Sequence, residues 1–162
     1  MTRQIVTAVF FITLLASCNQ SAEQQAAELG ADIEAINRLN DEYVAAENAG
    51  DVDGIMMLYT DDAVLMPPNQ PALIGKGAIR SHVQALFDMF SLEEVLSPEE
   101  VVVTGDWAFV RATYTITVTP RAGGEQTQDN GKGIAIYKKG PDGSWKYARL
   151  VYNSDNPLPA TM

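Results

Sequence analysis

Few side chains in this sequence could carry out acid–base chemistry. Two adjacent carboxylates, Asp61 and Asp62, follow a short apolar stretch, and Tyr43 lies on the apolar side of the helix predicted before it. A tyrosine hydroxyl donates a hydrogen bond and a carboxylate accepts a proton, so Tyr43 with Asp61 or Asp62 is the candidate catalytic pair. The alternative role of the two aspartates is to cap or end local structure.

Metal and hydrolase chemistry are not indicated. His82 is the only histidine, and no cluster of cysteine or glutamate accompanies it, whereas a zinc site needs three or four such ligands. Ser81 directly precedes His82, but adjacent residues on a helix point in different directions and do not form a nucleophile–base pair. We therefore predict neither a metal nor another cofactor.

The composition is that of one acidic globular domain. The chain has 162 residues, of which 46% are apolar and 20% are charged, and its formal net charge is −10. Such a charge repels the phosphates of nucleic acids, and no cluster of lysine and arginine offers a local exception. We predict no nucleic-acid partner.

The N-terminus resembles the export signal of a bacterial lipoprotein. Arg3 precedes an apolar run from Ile5 to Leu15, which is shorter than the roughly 20 residues that a membrane-spanning helix needs. The following residues, LASC at 15–18, resemble a lipobox, in which the cysteine sulfur receives a diacylglycerol; a spare cysteine is the alternative for Cys18. This pattern predicts a cleaved signal over 1–17, lipidation at Cys18 and a polar tether over 18–27. We expect the protein in the cell envelope, facing the periplasm or the cell exterior and touching the membrane through its lipid only.

Hydrophobic periodicity predicts three helices and a set of antiparallel strands. Apolar residues recur every three or four positions from Glu28 to a cap at Gly50, again after a cap at Asp51, and again around His82. Alternation and turn residues predict strands at 63–66, 101–103, 110–118, 131–139 and 144–152. The fold class is therefore α+β, with the helices packed on one face of a curved antiparallel sheet.

Several segments resemble the ketosteroid isomerase-like and SnoaL-like domains of the nuclear transport factor 2-like superfamily. The segments are YVAAENAGD at 43–51 with YTDDA at 59–63, IGKGAI at 74–79, and GSWK through YNSD at 143–155. The resemblance covers residues 28–155, which implies one domain there and a short tail over 156–162. It also implies a cone, in which a bent antiparallel sheet wraps around three helices and leaves an apolar pocket at the open end.

The resemblance matches only one of the three catalytic groups of the isomerase. Its oxyanion tyrosine falls on Tyr43, its general-base aspartate on Pro67, next to Met66, and its oxyanion aspartate on Ala135. Neither Pro67 nor Met66 accepts a proton, and Ala135 has no hydrogen-bond donor. We therefore expect the protein not to isomerise a β,γ-unsaturated ketosteroid.

Strand alternation predicts which side chains line the pocket. If Ala135 faces inward, so do its alternate neighbours and those of the adjacent strands, namely Gly133, Tyr137, Ala112, Tyr114, Ile116, Ala148, Leu150 and Tyr152. The predicted ligand contacts are Tyr43, Tyr59, Met66, Tyr114, Ala135, Leu150 and Tyr152. An apolar wall with several phenols suits a small apolar or aromatic molecule.

The same alternation predicts an outward sheet face with bulky side chains, Trp145, Tyr147, Arg149 and Val151. Large aromatic groups on an uncovered face favour a partner surface, and in the superfamily this face commonly packs against a second copy. We therefore expect a homodimer. The acidic residues Glu93, Glu94, Glu99 and Glu100 are predicted to form a solvated edge.

Three functions remain open at this point. The leading hypothesis is a lipid-anchored envelope protein that holds a small apolar or aromatic molecule in its cone, because no acid–base pair stands at the catalytic positions of the isomerase. The first alternative is an enzyme of the isomerase, cyclase or hydrolase kind that uses Tyr43 with Asp61 or Asp62. The second is a dimeric structural envelope protein with a vestigial pocket. A carboxylate that faces inward within hydrogen-bond reach of Tyr43 would favour the enzyme.

Overall fold

The computed structural model describes the backbone of residues 3–157 and the side chains of residues 22–157. The chain divides into two units, Met1–Glu34 and Ala35–Met162. Among the described residues, no helix combines the length and the apolar character required to cross a membrane. The side chains of the predicted export signal and of Cys18 lie outside this description, as do residues 158–162 of the tail, so the signal and the lipidation stay predictions.

The three predicted helices are present as α1 (Arg3–Ala49), α2 (Val52–Leu58) and α3 (Lys76–Met89). The first begins well before Glu28 and includes the predicted tether, because the residues between are rich in glutamine, alanine and glutamate and contain no proline. Both predicted caps are confirmed. Gly50 has a φ of 67°, and the side chain of Asp51 accepts a hydrogen bond of 2.9 Å from the backbone N–H of Gly54.

Six strands form a single mixed sheet. They are β1 (Tyr59–Met66), β2 (Leu73–Ile74), β3 (Phe90–Thr104), β4 (Trp107–Pro120), β5 (Thr127–Lys139) and β6 (Trp145–Ser154). The order across the sheet is β2-β1-β6-β5-β4-β3, and all pairs are antiparallel except β1 with β6. The α+β class with a curved, mostly antiparallel sheet is thus confirmed, and β1 and β3 are longer than the sequence pattern predicted.

A bulge in β6 overturns the predicted orientation of two aromatic side chains. Ile136 pairs with Arg149 and Tyr137 with Tyr147, so Ala148 is an extra residue in β6. One extra residue reverses the faces of all residues on one side of it. Trp145 and Tyr147 are consequently buried, with 4% and 2% of their surface exposed, and do not belong to the outward face.

The core of the second unit lies between the sheet and the three helices. Its most completely buried large side chains come from all three helices and three strands, and are Ile36, Ile55, Tyr59, Ile79, Val110 and Tyr137. Removing this much apolar surface from water is the main favourable term in folding the domain. The helices do not fill the curve of the sheet completely, and the remaining space is the cavity described next.

Candidate functional site

A cavity of about 270 Å³ lies between α1, α3 and the inner face of the sheet. Most of its wall is apolar, supplied by side chains such as Leu65, Val83, Phe87, Leu92, Val110, Ala112, Ile116 and Leu150. Polar groups interrupt this wall at only a few points. A concave, largely apolar site with a small number of polar groups is typical of a site for small molecules.

Five of the seven side chains predicted to contact a ligand line this cavity. They are Tyr43, Tyr114, Ala135, Leu150 and Tyr152. The other two lie elsewhere. Tyr59 is buried in the core with its ring centroid 5.3 Å from that of Tyr147, and Met66 pairs with Val151, whose side chain belongs to the outward face. Leu65, one position before Met66, faces the cavity instead.

The structure does not bring Asp61 or Asp62 to Tyr43. Both aspartates lie on exposed positions of β1 and neither lines the cavity. Asp61 forms an ion pair of 3.5 Å with Lys76, and Asp62 forms one of 3.7 Å with Arg149. The candidate pair predicted from the sequence is therefore wrong in its carboxylate partner.

Tyr43 instead has a carboxylate partner on its own helix. Its hydroxyl donates to Oε1 of Glu47 over 3.5 Å, one helical turn away. The carboxyl group of Glu94, from β3, lies within hydrogen-bond reach of that of Glu47. Burial, the hydrogen bond with Glu94 and the negative charge of Glu94 together raise the pKa of Glu47 well above its usual range. Glu47 therefore keeps its proton to a higher pH than an exposed glutamate does.

Asn48 fixes the position of Glu94 against α1. Its side-chain amide donates 3.0 Å to the backbone oxygen of Glu94 and accepts 2.6 Å from the backbone N–H of the same residue. These two bonds satisfy backbone groups on β3, which is an edge strand. Glu94 therefore lines the cavity, and the prediction that it belongs to a solvated edge is wrong.

The inner end of the cavity is held by a hydrogen-bonded group around Asn40. The hydroxyls of Tyr137 and Tyr147 both donate to Oδ1 of Asn40 over 2.6 Å. Asn40 is almost completely buried, and burial is the main cause of the raised pKa of both tyrosines. These hydroxyls are occupied in holding α1 to β5 and β6. Tyr43 packs on Tyr147 with 5.3 Å between the ring centroids.

A second polar group lies on the cavity wall at β4 and β5. Asp129 accepts hydrogen bonds from the hydroxyl of Tyr114 over 3.4 Å, from Oγ of Ser154, and from the side-chain amide of Asn156 over 2.8 Å. Burial, followed by the charges of Glu47, Glu94 and Asp129, raises the pKa of Tyr152 to about 12. The pKa of Tyr152 is therefore raised by carboxylates at two places in the cavity wall, the Glu47–Glu94 pair and Asp129.

His82 also lines the cavity. Its Nε2 atom is buried and has no hydrogen-bond partner, and burial lowers the pKa of the imidazole. A histidine in this position is neutral at physiological pH. Within the part of the chain that the structure describes, no group of three or more potential ligands could hold a metal ion.

Sequence reasoning missed three acidic residues of this site, although a signal existed for each. Glu47 is one helical turn beyond Tyr43, Glu94 alternates with Leu92 and Leu96, and Asp129 continues the inward alternation of Gly133 and Ala135. The high charge of the stretch around Glu94 concealed its alternation.

The comparisons with known proteins agree with this geometry. The family model described as a SnoaL-like domain matches residues 41–148, which is more than half of the chain. The chain belongs to the SnoaL-like domain family. The predicted recognition is thus confirmed at the level of the SnoaL-like domain, and solved proteins described as NTF2-like share the fold. No curated protein matches the chain.

Solved structures include several similar domains. A ketosteroid isomerase-like protein from Erwinia carotovora atroseptica is 32% identical with a TM-score of 0.71, over 76% of this chain and 96% of its own. A protein assigned as an aromatic ring hydroxylase from Novosphingobium aromaticivorans is 25% identical with a TM-score of 0.66, over 78% and 91%. A protein assigned as a scytalone dehydratase from the same organism is 16% identical with a TM-score of 0.72, over 80% and 91%, and this likeness concerns the fold alone.

Proposed function

We propose that this SnoaL-like protein binds a small apolar or aromatic molecule in its cavity and transfers a proton to or from it. The observation that carries the proposal is the Glu47–Glu94 carboxyl pair beside Tyr43 in a largely apolar cavity. A buried carboxyl group whose pKa is raised well above its usual range is suited to accept and return a proton. This is the inward-facing carboxylate that favours an enzyme over a plain binding protein.

Each group of the pair has a distinct role in this proposal. Glu47 takes a proton from a carbon next to a substrate carbonyl and returns it to another position. Glu94 raises the pKa of Glu47 through its contact and its negative charge, and Tyr43 donates a hydrogen bond that orients the Glu47 carboxylate. The apolar wall limits the substrate to a molecule of one or two rings, since about 270 Å³ is available.

The names of the similar proteins are compatible with this class of reaction. One is described as ketosteroid isomerase-like and one is assigned as an aromatic ring hydroxylase. The carboxyl pair does not occupy the positions of the isomerase aspartates, which fall on Pro67 and Ala135. The chemistry is therefore proposed from Glu47 and Glu94 and not from the isomerase mechanism.

Deuterium exchange into 2-tetralone tests proton transfer without knowledge of the natural substrate. Full-length protein carrying Cys18→Ser should accelerate exchange of the α-protons in D₂O, followed by NMR. Loss of a general base typically costs about 10² to 10⁴ in rate, so Glu47→Gln should return exchange to background. Glu93→Gln is the matched control because Glu93 adjoins Glu94 but is exposed, and it should exchange like the parent protein.

Two results would contradict the proposal in different ways. Unaccelerated exchange, with saturable binding of 2-naphthol in the cavity, would leave a binding protein, which is the leading hypothesis from the sequence. Accelerated exchange that survives Glu47→Gln would mean that another group is the base.

We also propose that the chain is anchored in the cell envelope through a lipid on Cys18. The support is the order of Arg3, an apolar run from Ile5 to Leu15, two small residues and a lone cysteine. The protein would then face the periplasm or the cell exterior. Several acyl chains are needed for stable anchoring, since one chain binds only marginally.

A homodimer through the outward face of the sheet is the third part of the proposal. This face carries apolar side chains that are each more than a third exposed, on four adjacent strands: Val102, Trp107, Phe109, Ile134, Ile136 and Val151. Apolar groups gathered on one face favour a protein partner. The expected face is retained from the sequence prediction, but Trp145 and Tyr147 are replaced in it by these side chains.

A further inference from the structure

All the charged side chains in the described wall of the cavity are acidic. Glu47, Glu94 and Asp129 line it, and none of the described residues in its wall is lysine or arginine. His82 contributes no positive charge, since burial favours its neutral form. An anionic ligand in this cavity would meet two or three carboxylates in a poorly solvated space, with no cation to offset them.

One acidic atom of the wall lacks a donor. Apart from the contact between the Glu94 and Glu47 carboxyl groups, buried Oε2 of Glu94 accepts no hydrogen bond from the described residues, while both oxygens of Asp129 are already engaged. Buried acceptors are nearly always satisfied in native proteins. A ligand that brings an N–H donor to Glu94 would satisfy this atom, and a charged donor would do so most strongly.

Aromatic faces complete the surroundings of such a donor. The rings of Tyr43, Tyr114, Tyr147 and Tyr152 all line the cavity, with Tyr114 and Tyr152 in an edge-on contact of 6.1 Å. All four hydroxyls are un-ionised at physiological pH because burial raises their pKa. Neutral phenol rings present a negative face, which attracts organic cations.

We propose that the cavity selects a positively charged apolar molecule, an amine carrying a one- or two-ring group, whose ammonium donates a hydrogen bond to Glu94. The ring group fills the apolar wall along α3 and β4, and Glu47 lies beside the ammonium as the proposed base. This inference rests on the proposed function in taking the cavity as the ligand site, and it names the class of ligand that the site prefers.

The test compares three naphthalene compounds that differ in charge. They are 2-naphthylmethylamine, 2-naphthylmethanol and 2-naphthoate, each titrated against full-length Cys18→Ser protein at a pH where the amine is protonated. Naphthalene fluorescence and calorimetry report the dissociation constants. A hydrogen bond to a charged group predicts that the amine binds about tenfold or more tightly than the alcohol, and that the carboxylate does not bind measurably.

Glu94→Gln removes the charge of Glu94 and keeps its size. This variant should reduce the advantage of the amine over the alcohol to about twofold, while Glu93→Gln should preserve it. Should Glu94→Gln fail to fold, Asp129→Asn serves as the second variant. It removes another acidic charge from the cavity wall, so it should weaken binding of the amine by about twofold and leave binding of the alcohol unchanged.

Three outcomes would overturn the inference. They are equal binding of the amine and the alcohol, binding of the carboxylate as tight as that of the alcohol, and an amine advantage that survives Glu94→Gln. In each case accelerated 2-tetralone exchange would leave the proposed function standing, because that substrate is neutral. Absence of binding by all three compounds together with absence of exchange would remove both proposals.

Discussion

Glu47 is buried beside a second carboxyl group, and its ionised form is therefore unfavourable in the folded protein. Its pKa is raised, first by burial and then by Glu94. A carboxyl group with a raised folded pKa stabilises the fold below its unfolded pKa of about 4.3, and this stability is lost as the pH rises through the folded value. A buried acid of this kind lowers stability at neutral pH.

Glu47→Gln should consequently be more stable than the parent protein at pH 8 and show a smaller difference at pH 5. Within the window between the unfolded and the folded pKa, the gain in unfolding free energy should grow by up to about 1.4 kcal/mol per pH unit. Urea unfolding at both pH values measures it. Glu93→Gln controls for the general effect of removing one charge from an acidic protein. A difference that does not change with pH would show that Glu47 is not buried as an acid.

At the level of the elements, the contact between the end of α1 and β3 places the two carboxyl groups together. Asn48 directly follows Glu47 in the sequence. Its two hydrogen bonds attach the edge strand to the helix at Glu94. The bonds are between a side chain and a backbone, so they position the strand and leave the Glu94 side chain to the cavity.

Asn48→Ala should destabilise the protein by about 1 to 3 kcal/mol, because two hydrogen bonds of about 0.5 to 1.5 kcal/mol each are lost. It should also lower the rate of 2-tetralone exchange and shift its pH profile toward lower pH, since a Glu94 held less firmly raises the pKa of Glu47 less. Asn37→Ala, an exposed position on the same helix, is the control for both measurements. An unchanged pH profile with reduced stability would assign Asn48 a purely structural role.

The sequence was sufficient for the helices, the strand pattern and much of the cavity wall, because these follow from periodicity. It could not show the bulge at Ala148, because the alternation of apolar and polar residues does not reveal where a strand contains an extra residue. For the same reason it assigned Tyr147 to the wrong face. Glu94 was missed because charge suggested solvent, whereas its alternation with Leu92 placed it inside.

At the level of the whole molecule, the outward apolar face predicts the oligomeric state. Light scattering on the Cys18→Ser protein should give twice the chain mass. Phe109→Glu should lower it toward one chain, because an unpaired charge would be buried in the interface. Met57→Glu is the control, since Met57 is an exposed apolar side chain on α2, away from this face. A monomer at tens of micromolar in the parent protein would refute the dimer.

The anchor is tested with the native N-terminus. Wild-type protein expressed in a bacterial host should partition into the detergent phase with the membrane fraction, and Cys18→Ser should not, because the thiol is the proposed acylation site. Ser17→Ala changes a neighbouring small residue without removing the thiol and should behave as the wild type. Equal partitioning of wild type and Cys18→Ser would end the lipidation proposal.

The hydrogen bonds to Asn40 also have a consequence for the order in which the protein is made. They join α1 to tyrosines that lie 97 and 107 residues later in the chain. Contacts between such distant residues slow folding, because a long loop must close before they form. A chain that leaves the ribosome from its N-terminus has α1 long before β5 and β6 exist. The wall of the cavity therefore cannot be complete until synthesis is nearly finished.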